Sequence, residues 1–174
     1  EDLIKRYLAY RGYQVFHVMN ITDIDDKTIR KSIDACIPLT EVTKPYIDSF
    51  FTDLKALNVL PADHYPRATQ FIPQMVDIIT RLEARGHAYQ RDGSVYFRIS
   101  SFPEYGRLAN INPDQLQIGT SVDSDEYDKE SVQDFVLWKG YREGEPFWES
   151  PFGPGRPGWH IECSAMSAEF LGDY

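Results

Sequence analysis

Up to Gly86 the apolar positions keep a helical rhythm, broken once by a short β-rich run. Leu3, Ile4, Tyr7 and Leu8 share one face of a helix over residues 1–11, and Gly12 suits its C-terminal cap. Tyr13 to Met19 is rich in strand formers and predicts a short buried strand, with His17 a structural residue in it. Helix, glycine, strand is one arm of a βαβ unit. Lys27 to Ala35 predicts a helix that Pro38 interrupts. From Thr40 to Leu57 a long stripe that includes Val42, Tyr46, Ile47, Phe50, Phe51 and Leu54 falls at helical spacing and is expected to face the core. Residues 58–63 read as a connector. A further helix starts at Pro66-Arg67-Ala68-Thr69, carries Ile72, Met75, Val76, Ile79 and Leu82 as its stripe, and stops at Gly86. These two long helices are expected to form an antiparallel pair.

Beyond Gly86 the pattern changes to strands and loops. His87 to Gln90 and Ser94 to Ile99 flank Arg91-Asp92-Gly93, and Asp-Gly between strand-like runs predicts a hairpin. Phe102 to Leu108 reads as loop, Asn112 to Leu116 as a helical turn, and Ser121 to Glu130 as an acidic, mobile loop. Asp134 to Lys139 predicts a compact strand, and Gly140 to Pro154 a wandering loop. The chain then reaches Gly155-Arg156-Pro157-Gly158-Trp159-His160-Ile161-Glu162-Cys163-Ser164-Ala165-Met166. Its first part reads as a Gly/Pro loop, its second as a helix from about Gly158.

Composition narrows the class. The chain has 174 residues, enough for one domain or for a small domain with an insertion. Apolar residues make up 42%, ordinary for a globular protein. The net charge of −9 shows no polyanion footprint over the whole chain, although a local basic strip is compatible with it. Cys36 and Cys163 are the two cysteines, too few for a disulfide framework, which implies a reducing, cytoplasmic setting. No run approaches the length of a membrane span, and no secretory signal or internal repeat is visible. The sequence starts on a helical pattern without Met and stops at Leu171-Gly172-Asp173-Tyr174, where an α/β protein would turn into a strand. An interior segment of a larger protein is expected.

Two stretches carry chemistry. In a helix opening near Gly158, Trp159 and Cys163 lie four apart on one face, and His160 and Ser164 share the neighbouring one. On residue type alone a lone cysteine is a small buried hydrophobe, and the adjacent indole is core. His160 and Cys163 together make at most half of a metal site. The other stretch is Asn20-Ile21-Thr22-Asp23-Ile24-Asp25-Asp26-Lys27, at the carboxyl end of the expected strand, where open α/β sheets bind ligands. Asp and Thr there are also ordinary helix caps. Capping requires one such residue and this loop has five polar ones, which favours function; EF-hand spacing for Ca²⁺ is absent.

Taken together, the two stretches closely resemble the cysteinyl-tRNA synthetases, which are class I aminoacyl-tRNA synthetases. Residues 20–27 match that family's N-I-T-D-I-D-D-K, and residues 155–166 its G-R-P-G-W-H-I-E-C-S-A-M. Pro66 to Thr69, Gly86 to Tyr89, Tyr105-Gly106 and Asp134 to Lys139 fall between them in family order. The resemblance covers essentially the whole chain.

The resemblance implies an α/β fold: part of a Rossmann-type nucleotide-binding domain split by an α+β connective insertion. Residues 1–30 and 140–174 would be catalytic-domain segments, and 31–139 the insertion. The implied activity is ATP-dependent activation of L-cysteine to cysteinyl-adenylate and its transfer to tRNA(Cys), with Mg²⁺ accompanying ATP. A Zn²⁺ ion would bind the substrate thiolate through two Cys, one His and one Glu, with Cys163 as the second Cys. Trp159 would line the cysteine pocket, and Thr22 would place a hydroxyl beside the bound amino acid. Zinc makes chemical sense here. Cysteine and serine differ by one atom, apolar pockets separate near-isosteres poorly, and a borderline-soft ion favours sulfur.

Departures from the family pattern matter too. Its first zinc Cys and its His-Ile-Gly-His loop precede the part present here. Its remaining zinc ligands, lysine-rich ATP loop and anticodon-binding domain follow it. The segment alone is therefore expected to be inactive and to bind tRNA weakly, and no catalytic residue is assigned. Cys36 matches no family ligand and is taken as structural. Two alternatives stand: a mycothiol-pathway ligase that joins cysteine to an amino sugar, and a free-standing binding module derived from the insertion.

Overall fold

The computed structural model describes residues 1–108 and 134–172. The expected turn at 112–116 and acidic loop at 121–130 lie outside the described residues. The rest is mixed: five α-helices and a four-stranded antiparallel sheet among the described residues, divided between two compact units.

The first unit holds Glu1–Ile72, Gly144–Pro146 and the chain from Glu162 onward. Helix α1 (Asp2–Tyr10) ends in a Schellman motif: the Gly12 amide donates to Ala9 O and the Tyr13 amide to Leu8 O, with Gly12 at φ 88°. Helix α2 (Asp26–Ala35) opens on a capping box. The Thr28 amide donates to Asp25 Oδ1 at 2.6 Å, and the Asp25 amide to Thr28 Oγ1 at 2.9 Å. Helix α3 (Leu39–Ala56) packs on α2. The next long helix, the expected antiparallel partner of α3, belongs largely to the second unit.

Two apolar expectations are corrected in this unit, those for α3 and for Tyr13 to Met19. Helix α1 buries no residue; Leu3 is 79% and Ile4 64% exposed. Its polar side holds it instead. Lys5 Nζ donates to Pro61 O at 2.7 Å, Arg6 donates to Asn58 O, and Asp2 accepts from the Leu60 amide at 2.8 Å. On α3, Val42 and Ile47 are buried but Tyr46 and Leu57 are exposed, since its apolar arc is wider than the face that α2 covers. Finally, Tyr13 to Met19 is extended but forms no regular strand, and Tyr13 and Phe16 are exposed. It runs parallel to residues 63–68 through isolated bridges, Val18 with His64 and Ile21 with Arg67. The ladder breaks for local reasons. The Asp63 carboxylate, not a carbonyl, accepts from the His17 amide at 2.7 Å, and Pro66 has no N–H to give.

The second unit holds Pro73–Glu143 and Phe147–Ile161, as far as these are described. Helix α4 spans Ile72–Ala84; it starts later than expected because Pro66 is spent on the bridge segment and Ala68–Gln70 is a separate 3₁₀ turn. Strands β1 (Ala88–Arg91) and β2 (Ser94–Phe97) form the expected hairpin, with Asp92 and Gly93 both at positive φ as a type I′ turn requires. Strand β3 (Phe135–Gly140) pairs with β2 and with β4 (Gly155–Pro157). Met75, Ile79, Val95, Tyr96 and Trp138 are buried in this unit. Asp134 is buried as well, accepting from Tyr89 Oη and the Ile99 amide, each at 2.9 Å.

The expected Gly/Pro loop at 155–157 is thus a strand. Glycine serves there for closeness rather than for turning. A Cβ on Gly155 would overlap Lys139 O and the Trp138 indole, and one on Gly158 would overlap Val136 O. Pro157 ends an outer strand of the sheet, where a missing donor is tolerated.

Candidate functional site

Helix α5 (Trp159–Leu171) follows β4 after one glycine, whose amide is tied to Leu137 O at 2.8 Å. The helix is two-sided. Ile161, Glu162, Ala165 and Met166 are buried; Trp159, His160, Cys163 and Ser164 are exposed. Trp159 and Cys163 therefore stand one turn apart on the open side of a continuous helix. Residue type had favoured a buried Trp and a buried Cys. Instead the indole is 63% exposed. His160 meets the Phe135 ring edge-on at 4.9 Å, which accounts for that imidazole by packing.

Partial desolvation by its neighbours on the helix surface pushes the Cys163 thiol up from its ordinary value, and the adjacent Glu162 carboxylate pushes it the same way. Such a thiol is a poor free nucleophile at neutral pH. A coordinated metal would reverse that, because a ligating thiol loses its proton outright. A closed zinc site needs four donors. Among the described residues no group of three or more His, Cys, Asp or Glu could hold a metal ion. Cys163 thus offers one donor, and these residues do not form a zinc site by themselves.

The 20–27 loop is organised differently from its appearance in sequence. Asp23 is buried and accepts from both the amide and the hydroxyl of Thr69. Asp25 is the cap of α2. Two of the loop's carboxylates thus have structural partners, one as a clamp on Thr69 and one as the helix cap. Between them and the bridge at Ile21, Thr22 is half-buried, its Oγ1 accepting from Asn20 Nδ2 at 3.3 Å. Thr22 and Cys163 belong to the same compact unit. Within that unit the end of α5 packs on the strip that flanks the loop. Phe170 stacks on His64 at 4.7 Å and lies 5.8 Å from Phe71.

Three charged residues at or beside the signature stretch escaped the sequence reading. Arg156, Glu162 and Lys139 are all buried, and Lys139 faces Arg156 across β3 and β4. The signal was available for Glu162: it shares the Ile161, Ala165 and Met166 side of the helix. No helix among the described residues is long and apolar enough to cross a membrane.

A model of the "tRNA synthetases class I (C) catalytic domain" family matches residues 1–174. The chain is 53% identical over 177 residues to a cysteine–tRNA ligase of Chlamydia pneumoniae, covering 99% of the chain and 37% of that protein. It is 54% identical over 176 residues to one of Chlamydia caviae, and 53% over 177 residues to one of Brachyspira hyodysenteriae, with the same two coverages. The chain spans about 37% of the length of these curated relatives.

Proposed function

The chain belongs to the class I tRNA synthetase (C) catalytic-domain family, and we propose that it is part of a cysteine–tRNA ligase. In this reading the complete protein joins L-cysteine to ATP, releasing pyrophosphate, and passes the cysteinyl group to tRNA(Cys) in the cytoplasm. Mg²⁺ accompanies the ATP. Residues 1–30 and 140–174 are segments of a Rossmann-type domain, and 31–139 its insertion.

Thr22, Trp159 and Cys163 are assigned to the cysteine site. Trp159 gives an apolar wall, open on the outer side of α5. Thr22 gives a hydroxyl on a loop fixed by Asp23 and by the bridge at Ile21. Cys163 gives one thiolate ligand to a zinc ion whose other donors come from the rest of the longer protein. Zinc, when bound there, supplies a centre that takes sulfur in preference to oxygen. The observation that carries the reading is the exposed thiol one turn after an exposed indole, in a chain more than half identical to cysteine–tRNA ligases along nearly its whole length.

The test is ATP–pyrophosphate exchange by the complete protein with L-cysteine or L-serine, before and after Cys163→Ser. The reading expects exchange that depends on cysteine, strong rejection of serine, and loss of bound zinc with the substitution. Exchange indifferent to cysteine, or zinc content unchanged by Cys163→Ser, contradicts it.

A further inference from the structure

Helix α2 carries its cations on one side. Lys27, Arg30 and Lys31 stand at i, i+3 and i+4, so their side chains leave from one face. With Asp34 and Ala35 they line a shallow, open patch of the surface. All three cations are exposed. Several other basic groups of the described chain close on nearby carboxylates: Lys44 on Asp48, Arg81 on Asp77, Arg107 on Glu104. Lys27 and Arg30 have no ion pair or side-chain hydrogen bond among the described residues. Lys31 lies over the exposed Tyr46 ring of α3, 4.5 Å from the centroid, and donates to its hydroxyl.

A solvated basic face is the ordinary outcome for scattered lysines. This face differs in density. Three charges occupy about 6 Å of helix axis, a density comparable with the one phosphate per ~3.4 Å of duplex axis that each nucleic-acid strand presents. An aromatic ring sits beside them, the pairing that backbone-tracking surfaces combine with stacking. In a chain of net charge −9, an anion is drawn only to such a local concentration. The Asp34 carboxylate in the same patch opposes the cations and limits how much phosphate it can take.

We propose that this face of α2, with Tyr46 at its edge, docks the phosphate backbone of an RNA. The proposal rests on the cysteine–tRNA ligase reading, since it takes the RNA to be the tRNA acceptor, and it deepens that reading by naming where the chain meets it. Lys27 and Arg30 are the free contacts; Lys31 is oriented by Tyr46.

Binding of a cysteine tRNA transcript to the complete protein, measured by fluorescence anisotropy over a salt series, tests it. Lys27→Ala with Arg30→Ala is expected to weaken binding roughly tenfold or more at low salt. The slope of log K against log salt is expected to fall by roughly 1.5, at about 0.7–0.9 per lost phosphate contact. The thermal midpoint and circular dichroism spectrum of the variant stay unchanged, which shows that it is folded. Lys27→Arg with Arg30→Lys retains affinity and slope. Unchanged affinity and slope in the double alanine variant overturn the proposal while leaving the ligase reading intact. Equal displacement of the RNA by polyglutamate of matched charge also overturns it, in favour of an acidic protein surface. A complete protein that neither binds the transcript nor exchanges pyrophosphate with cysteine overturns both, so the two failures are distinct.

Discussion

Thr69 closes on Asp23 twice: its amide at 3.0 Å from Oδ1 and its hydroxyl at 2.6 Å from Oδ2. A buried carboxylate taking two hydrogen bonds from one residue fixes the loop that carries Thr22 to the turn after Pro66. Asp23→Ala leaves the Thr69 amide without its acceptor. A loss of about 1–3 kcal/mol is expected, seen as a lower urea midpoint. Thr69→Val, which keeps the amide bond, is expected to cost less. Equal midpoints for Asp23→Ala and the unaltered protein contradict this role.

Gly158 meets Val136 O where a side chain would sit, and its amide bonds Leu137 O. Gly158→Ala is therefore expected to destabilise by about 1–3 kcal/mol, because the obstruction is backbone and cannot rotate away. Gly12, at φ 88° with open space around it, tests the other use of glycine. Gly12→Ala is expected to lose stability through conformation alone, and Gly12→Asn to lose less. Thermal unfolding of the three variants separates the two mechanisms.

Cys163 bears on pH in a defined direction. Its thiol is raised above the ordinary 9.0, by partial desolvation first and by Glu162 second. The folded state then holds the proton more tightly than the unfolded chain. This contributes stability below the ordinary thiol value that is lost as pH rises through the raised one. Iodoacetamide labelling followed by peptide mass analysis is expected to show Cys163 reacting at higher pH in the folded than in the denatured protein. Coincident pH profiles contradict the shift.

The acid side rests on α1. The Arg6 guanidinium, with the Leu60 amide, holds the Asp2 carboxyl below its ordinary 3.8. The His17 amide, with Lys5, does the same for Asp63. Lowered carboxyls contribute stability above the ordinary value that is lost as pH falls through the lowered ones. The amide resonances of Leu60 and His17 are expected to titrate with midpoints below 3.8. Midpoints at or above that value mean that the tether of α1 to residues 58–63 is absent in solution.

What could be read from the sequence was what is local. The Asp92-Gly93 hairpin, the Gly12 and Gly86 helix ends and the extent of α3 follow from turn chemistry and periodicity within a few residues. What could not be read depends on partners. An apolar stripe such as Leu3, Ile4 and Tyr7 reveals an amphipathic helix but not which side is covered, and here the polar side is the one attached. Tyr13 to Met19 has strand composition, yet a carboxylate and a proline in the neighbouring segment interrupt its ladder. Gly155 to Pro157 looked like a breaker because glycine for turning and glycine for close approach are written with the same letter. The same ambiguity applied to Asp23 and Asp25, which as residue types suit a ligand site as well as a clamp and a cap. That Trp159 and Cys163 share a face was visible from their spacing, because four residues is about one turn whatever surrounds the helix, but that the face is open was not.

The most direct measurement is the transfer of labelled L-cysteine by the complete protein, with ATP, to tRNA(Cys) and, in a parallel reaction, to an amino-sugar acceptor. The account predicts acid-precipitable cysteinyl-tRNA that requires ATP and no product on the sugar. Cysteine appearing on the sugar alone, or on neither acceptor, would contradict it.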